Sequence, residues 1–387
     1  MPALAKPLVA ILGDLIAIPS PYPPGDSVDI CAYAAERLKK AGYEVETARK
    51  VKGVDNVVAR LKGPERGPST VFNAHVDTVG VGERANWKTD PFKAAVKGGL
   101  VHGLGAGNCK GSMAVQLWLA EEIARRGGPQ TGEVVFTFVA DEENLGPNGM
   151  EFLRAARKVK PDVLILGAQT ENQLIVAERG VMWARLTTSG KAAHAGNPDA
   201  GDNAILRMMR LVGALQAFYD RALRKRVSGA MRSTVNVGMF HGGHNTNVVP
   251  SACTVEIDRR LLPTEKVKAA FTELKKVVDG VGEPRGTYKV EFLTGTNGFF
   301  APENGAGVAA LEAAIRARTG KKARFLNATG VSDGRYFADD GIEIINFGPG
   351  SGTQGHAANE SVPVAQMEDA AHILLAAVGQ LNGLRQA

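Results

Sequence analysis

The strongest constraint on this chain is a change of hydrophobic period partway along it. In the first half, short apolar runs of strand length alternate with helical stretches. Val71 to Ala74, Glu133 to Val139 and Asp162 to Leu166 read as buried strands. Gly111 to Arg126 reads as a helix with Met113, Leu117, Trp118 and Ile123 available for burial, and Glu151 to Lys158 as a shorter one. Apolar strands that alternate with helices require an α/β sheet covered on both faces. After Gly180 the pattern changes. Trp183 to Ser189, Thr234 to Phe240, Ala252 to Asp258 and Tyr288 to Leu293 read as strands, Asn203 to Tyr219 and Glu265 to Val278 as helices. Their order, β-α-β-β-α-β, is the split ferredoxin-like pattern. Helices near Gly307 to Arg318 and Val364 to Leu381 then resume the first style. The expected organisation is an α/β domain built from residues 1–179 and 294–387, interrupted by an α+β domain over 180–293.

Composition narrows the chemistry. The chain has 387 residues, which favours two domains over one. Three cysteines with no C-x-x-C pair exclude a disulfide scaffold and cysteine-based zinc or redox motifs. A metal site must therefore draw on the seven histidines and on carboxylates. The net charge of +6 is spread out, and the longest basic cluster, Arg221 to Arg226, reads as a solvated helix face rather than a nucleic-acid surface. The apolar stretch Pro7 to Pro19 is interrupted by Asp14 and is too short to span a bilayer. A cytoplasmic protein without nucleic-acid or membrane partners is expected.

Four stretches combine metal-type ligands with strand ends or loops. His75-Val76-Asp77 follows an apolar run, and a carboxylate two residues from a ligating histidine can orient its ring. Gly103 to Gly111 is glycine-rich, so backbone can approach a ligand closely. Asp141-Glu142-Glu143 ends a buried strand, and three adjacent carboxylates there call for a cation. His356 sits in a second glycine-rich run, Phe347 to Glu360. Ligands of open α/β sheets bind at the carboxyl ends of strands, where these stretches can converge.

In this order the motifs resemble those of the zinc-dependent aminoacylase and exopeptidase family, with its desuccinylases, deacetylases and carboxypeptidases. The match spans nearly the whole chain. It runs through A-H-V-D-T-V, W-K-T-D-P-F at Trp87 to Phe92, G-L-G-A-G-N-C-K-G and D-E-E. It continues through G-K-A-A-H-A-G-N-P at Gly190 to Pro198, G-G-H-N-T-N-V-V-P at Gly242 to Pro250, V-S-D-G-R at Val331 to Arg335 and F-G-P-G…H…N-E. The resemblance implies a mixed-sheet catalytic domain and an inserted lid that pairs two protomers as a homodimer. It puts His75 on one zinc ion with Asp77 behind it, and Glu143 and His356 on a second. Glu142 matches the general base and His194 a lid histidine that stabilises the oxyanion. Asn247 and Arg260 match lid residues facing the substrate carboxylate, and Gly348 and Gly350 a loop beneath it.

Two positions depart from the pattern. Asn108 stands where the family bridges its metals with an aspartate, and Ala168 where it has a further acidic ligand. One carboxylate ligand, Glu143, then remains of three. The expectation is one divalent ion (zinc, manganese or nickel) or none, held by His75, Asn108, Glu143 and His356. The function expected is hydrolysis of an amide-type C–N bond in a small carboxylate-bearing substrate, such as an N-acyl amino acid or dipeptide. Metal-free chemistry on the same fold, or a binding protein without turnover, are the alternatives. Cys109 reads as a small buried residue rather than a nucleophile.

Overall fold

The central strand of the first unit, Glu65–His75, is flanked in parallel by Thr131–Val139 and Val163–Gly167. Glu343–Phe347 runs parallel beyond the latter, and Val54–Lys62 and Glu44–Val51 continue antiparallel beyond the former, so the sheet is mixed. Phe72, Phe136, Phe138, Leu164 and Ile165 are fully buried, as strands covered on both faces require. The computed structural model describes residues 4–302, 304–328 and 330–384.

The covering helices explain the apolar beginning of the chain. Helix Ala5–Ala17 buries Leu8, Ile11, Leu12, Leu15 and Ile16 in the core, with Lys110–Arg125 and Val364–Asn382 as neighbours. Among the described residues no helix is long and apolar enough to cross a membrane. Lys110–Arg125 is buried around much of its circumference from Lys110 to Leu117, and its acidic residues Glu121 and Glu122 fall in the last turns.

The chain divides into two units. The first comprises the chain up to Val176, Phe300–Leu326 and the chain from Ser332; the second is Ala177–Phe299 with Asn327–Val331. The second unit is wider than the expected 180–293 and includes a short return segment that carries no strand or helix period to mark it.

In the second unit four antiparallel strands lie in the order Thr234–Gly242, Ala252–Leu261, Gly180–Ser189, Tyr288–Thr296. Helices Ala204–Arg221 and Val267–Asp279 pack on Met182, Ala184, Leu186, Val255 and Ile257. Strand alternation separates two neighbouring arginines. Arg259 points into the helix side, where it donates to the Ala270 carbonyl and to Glu265 and Glu273. Arg226 pairs with the same two carboxylates. Burial alone would raise both glutamates, but Ser233 and the Leu262 N–H at Glu265, and the two arginines at both, hold them below the usual range. A carboxylate depressed in the fold adds stability above its unfolded value near 4.3, and that stability disappears as pH falls through the lower folded value. Arg259→Met is expected to cost about 3 kcal/mol at neutral pH and to flatten this acid dependence. Urea unfolding at a series of pH values measures both; an unchanged midpoint would contradict it.

Candidate active site

Parallel pairing brings three strand ends together. His75 is in register with Val139, two residues before Asp141, and Asn73 with Leu166, two residues before Ala168. The His75 ring is held at Nδ1, which lies 2.9 Å from the Asp77 carbonyl and 3.6 Å from its carboxylate. Asp77 is buried, and its two oxygens accept the backbone N–H groups of Glu142 at 3.4 Å and Glu143 at 3.0 Å. One carboxylate thus fixes both the histidine and the turn that carries the acidic triplet.

The three carboxylates of the triplet point to different partners, which relieves the mutual repulsion read from the sequence. Asp141, at φ 69°, turns away and accepts from the Asn148 N–H and side-chain amide. Glu142 faces the Arg335 guanidinium at 3.4 Å. Glu143 accepts from the Asn108 amide at 2.8 Å and lies 3.0 Å from His356 Nε2. Each carboxylate has a separate partner, so neighbours in sequence do not compete for one space. His75, Glu142 and Glu143 nevertheless each place a ligand atom within 4.8 Å of the others.

Burial pushes the Glu142 carboxyl up to about 8, against the lowering pull of His75 and Arg335. Burial would lower His75, but Cys109, Asp77 and Glu142 outweigh it and hold the imidazole well above its ordinary value. An imidazolium suits both contacts, because Nδ1–H donates to the Asp77 carbonyl and Nε2–H to Asn108 Oδ1 at 3.3 Å. The hydrogen bond to Glu143 raises the exposed His356. Its Nε2 either donates to Glu143 or accepts from Asn108 Nδ2 at 3.2 Å, not both at once.

Asn108 is the hub of this arrangement. Its carbonyl faces His75 and its amide nitrogen faces Glu143 and His356. A group bridging two cations must present a lone pair at each end. A carboxamide, in either orientation, presents N–H to one of them. Ala168 supplies no side-chain ligand. The carboxamide present at Asn108 therefore does not fit a group that bridges two ions.

Residues the motifs did not assign set the shape of the site. Glu360 is buried and its carboxylate takes the N–H groups of Gly105, Gly107 and Asn108 at 2.8, 3.0 and 2.6 Å, which pins the loop carrying Asn108. Gln169 lies against Gly107, where any Cβ would collide with its Nε2. Gly348 closes the floor through its carbonyl, which accepts from Asn172 at 2.9 Å, and a Cβ there would strike Ala168 and Ser112. The Gly350 N–H donates to Gln366. The Cys109 thiol is buried, its pKa raised by that burial, and it donates to the Gly167 carbonyl; Lys110 turns instead to the Leu15 and Ile18 carbonyls. Burial outweighs the lowering pull of the nearby His75, so Cys109 stays a thiol rather than a nucleophilic thiolate.

In the second unit His194 and Asn247 lie on adjacent exposed segments. His194 bridges to Val248, and the Asn247 carbonyl accepts the Ala195 N–H at 2.9 Å. His194 Nδ1 accepts from Gly196. Arg260 lies on the sheet face opposite Arg259 and donates through Nε to Asp258 at 2.8 Å, leaving its remaining N–H groups uncommitted to that bond.

A mixed sheet with histidine and carboxylates at its parallel strand ends, and a ferredoxin-like insertion, defines a two-domain hydrolase of the exopeptidase type. Comparison makes the assignment specific: the profile of peptidase family M20/M25/M40 matches residues 71–380, and the chain belongs to that family. It is 30% identical over 371 residues to a succinyl-diaminopimelate desuccinylase of Bordetella petrii, covering 93% of this chain and 94% of that one. A desuccinylase of Xanthobacter autotrophicus is also 30% identical, over 93% and 95% of the two chains. Among solved structures, a metallo-carboxypeptidase of the M20 family from Sulfolobus solfataricus superposes with a TM-score of 0.80 at 19% identity, over 97% and 99%. A dinuclear metal-binding M20 peptidase of Bacillus subtilis gives 0.75 at 17%, over 98% and 99%. The chain is thus a hydrolase of a metal-dependent peptidase family.

Proposed function

We propose that this enzyme cleaves the C–N bond of a small carboxylate-bearing amide, an N-acyl amino acid or short peptide, with Glu142 as general base and at most one divalent ion. The carrying observation is Glu142 set beside His75 and Glu143, with the Asn108 carboxamide hydrogen-bonded between His75 and Glu143. The desuccinylase relatives support an N-acyl amino acid as substrate. An ion of zinc, manganese or nickel, held by Glu143 and His356, with the Asn108 oxygen as a weak third ligand once its carboxamide turns over, would supply Lewis-acid polarisation.

The protein groups account for the proton traffic. Asp77 orients His75. Glu142 takes a proton from the attacking water as its oxygen adds to the amide carbon, and returns it to the nitrogen as the C–N bond breaks. His194 donates to the oxygen that becomes negative, and Asn247 and Arg260 bind the substrate carboxylate. The reading includes a homodimer through the second unit. Its edge strand Thr234–Gly242 exposes Val237, Met239 and Phe240, an open edge suited to pairing with a second copy. Three unpaired cysteines suit a reducing compartment such as the cytoplasm.

Elemental analysis of purified protein, joined to a turnover screen over N-succinyl and N-acetyl amino acids and dipeptides, tests the reading. The expected result is no more than one ion per chain with release of free amine. Two tightly held ions would remove the one-ion site. Binding of these compounds without turnover would remove the hydrolase.

A further inference from the structure

We propose that Arg335 is a positioning residue for the reaction: its buried guanidinium holds the Glu142 carboxylate toward His75 and Glu143. The proposal rests on Glu142 being the base. Arg335 belongs to the 3-10 turn Asp333–Phe337, and its side chain is 1% exposed. Nη1 lies 3.4 Å from Glu142 Oε1. Nη2 donates to the Tyr336 hydroxyl at 2.9 Å, and the guanidinium stacks on that ring at 4.4 Å from its centroid. The Tyr336 hydroxyl donates in turn to the Gly146 carbonyl at 3.0 Å, in the loop that follows the acidic triplet.

The other side of Arg335 is anchored in the sheet. Its Nη2 lies 3.7 Å from Asp333 Oδ1. Asp333 Oδ2 accepts from the Asn73 amide at 3.2 Å, and Asn73 Oδ1 accepts from the Thr137 hydroxyl at 2.9 Å. Asn73 and Thr137 sit in the two strands that end in His75 and just before the acidic triplet. A buried relay, Thr137–Asn73–Asp333–Arg335, therefore starts from the same strand ends as the residues it serves. It returns to them at Glu142.

A structural role alone would be complete with the Asp333 pair. The guanidinium is instead closer to Glu142, and Asp333 has its own second partner in Asn73. A planar, delocalised cation fixed by ring stacking can hold a carboxylate in one orientation, which a flexible ammonium does less well. Nothing places Arg335 on a reacting atom. Its effect runs through Glu142, where a displacement of about 1 Å is sufficient to cost about a hundredfold in rate.

The test is a double-mutant cycle with Glu142→Gln, using the N-acyl amino acid turned over fastest in the screen. Arg335→Met is expected to lower kcat about a hundredfold with KM within about twofold. In the Glu142→Gln background the same change is expected to cost less than about threefold. Arg335→Lys, which keeps the charge and guards against misfolding of the first variant, is expected to recover part of the rate. The same loss in both backgrounds, or a loss carried by KM, overturns the proposal. A crystal structure of Arg335→Met, or of Arg335→Lys if the former does not fold, needs no substrate. It is expected to have the Glu142 carboxylate displaced from the cluster, and an unmoved carboxylate overturns the proposal as well. Full turnover by Glu142→Gln alone is a different failure, because it removes Glu142 as base.

Discussion

Glu142→Gln is expected to lower kcat about a thousandfold or more, the size of a lost general base, without loss of stability. The substitution preserves shape and the hydrogen bond that Arg335 donates to Oε1. What it removes is the capacity to take a proton from water. The stability side follows from the raised pKa. With a folded value near 8 and an unfolded value near 4.3, the native state binds more protons between those limits, so the ionisable carboxyl costs stability as pH rises through that window and the cost stays above it. A neutral amide does not pay this desolvation penalty. The melting temperature of the ion-free variant at pH 7 to 8 is therefore expected to equal or exceed that of the parent. An active-site residue that weakens the fold while enabling chemistry is a familiar trade-off. Circular dichroism melting and steady-state kinetics on the same preparation check both halves. Loss of activity together with a lower melting temperature would point to a structural residue instead.

The second large effect is expected from Asn108→Asp combined with Ala168→Glu. In the parent, the Asn108 amide satisfies Glu143 and His356 and its carbonyl satisfies His75. Chelator treatment is therefore expected to lower the parent's melting temperature by no more than the loss of a single ion would. An aspartate at 108 exchanges a donor for a charge beside Glu143, and like charges at that distance repel. Without metal the double variant is expected to melt below the parent. With zinc or manganese in excess it is expected to hold two ions and to melt above its own metal-free form, by about 2.7 kcal/mol of added stability when free metal exceeds Kd about a hundredfold. Elemental analysis and thermal melting with and without chelator read the two effects. Unchanged metal content would show that positions 108 and 168 do not face the ions. The contrast between parent and variant separates a site organised by hydrogen bonds from one organised by cations.

Several features were legible in the sequence because they are local. The buried runs before His75 and Asp141 read as strands, and the β-α-β-β-α-β order after Gly180 reads as the insertion, since periodicity depends only on neighbours along the chain. The amide at Asn108 and the methyl at Ala168 were legible too, as departures from an ordered set of motifs. The partners of the acidic triplet were not. Glu142 meets Arg335 across 193 residues and Asn108 meets Glu360 across 252. V-S-D-G-R and the final N-E were visible as motifs, but no spacing rule says that one arginine faces a carboxylate or that one glutamate takes three backbone N–H groups.

Sequence alone determined which residues could do chemistry here and which could not: histidines and carboxylates at strand ends, a carboxamide unable to bridge two cations, an alanine unable to bind one. These are properties of side-chain composition and hold in any conformation. Tertiary structure alone decided how the charges are shared. Parallel pairing of Glu65–His75 with Thr131–Val139 sets the histidine beside the acidic turn, and Arg335, Asn148 and Asn108, brought in from elsewhere in the chain, supply each carboxylate of the triplet with its own donor. The reason is electrostatic. Buried charges are tolerable only beside partners, and the partners come from parts of the chain that only folding brings within hydrogen-bond distance.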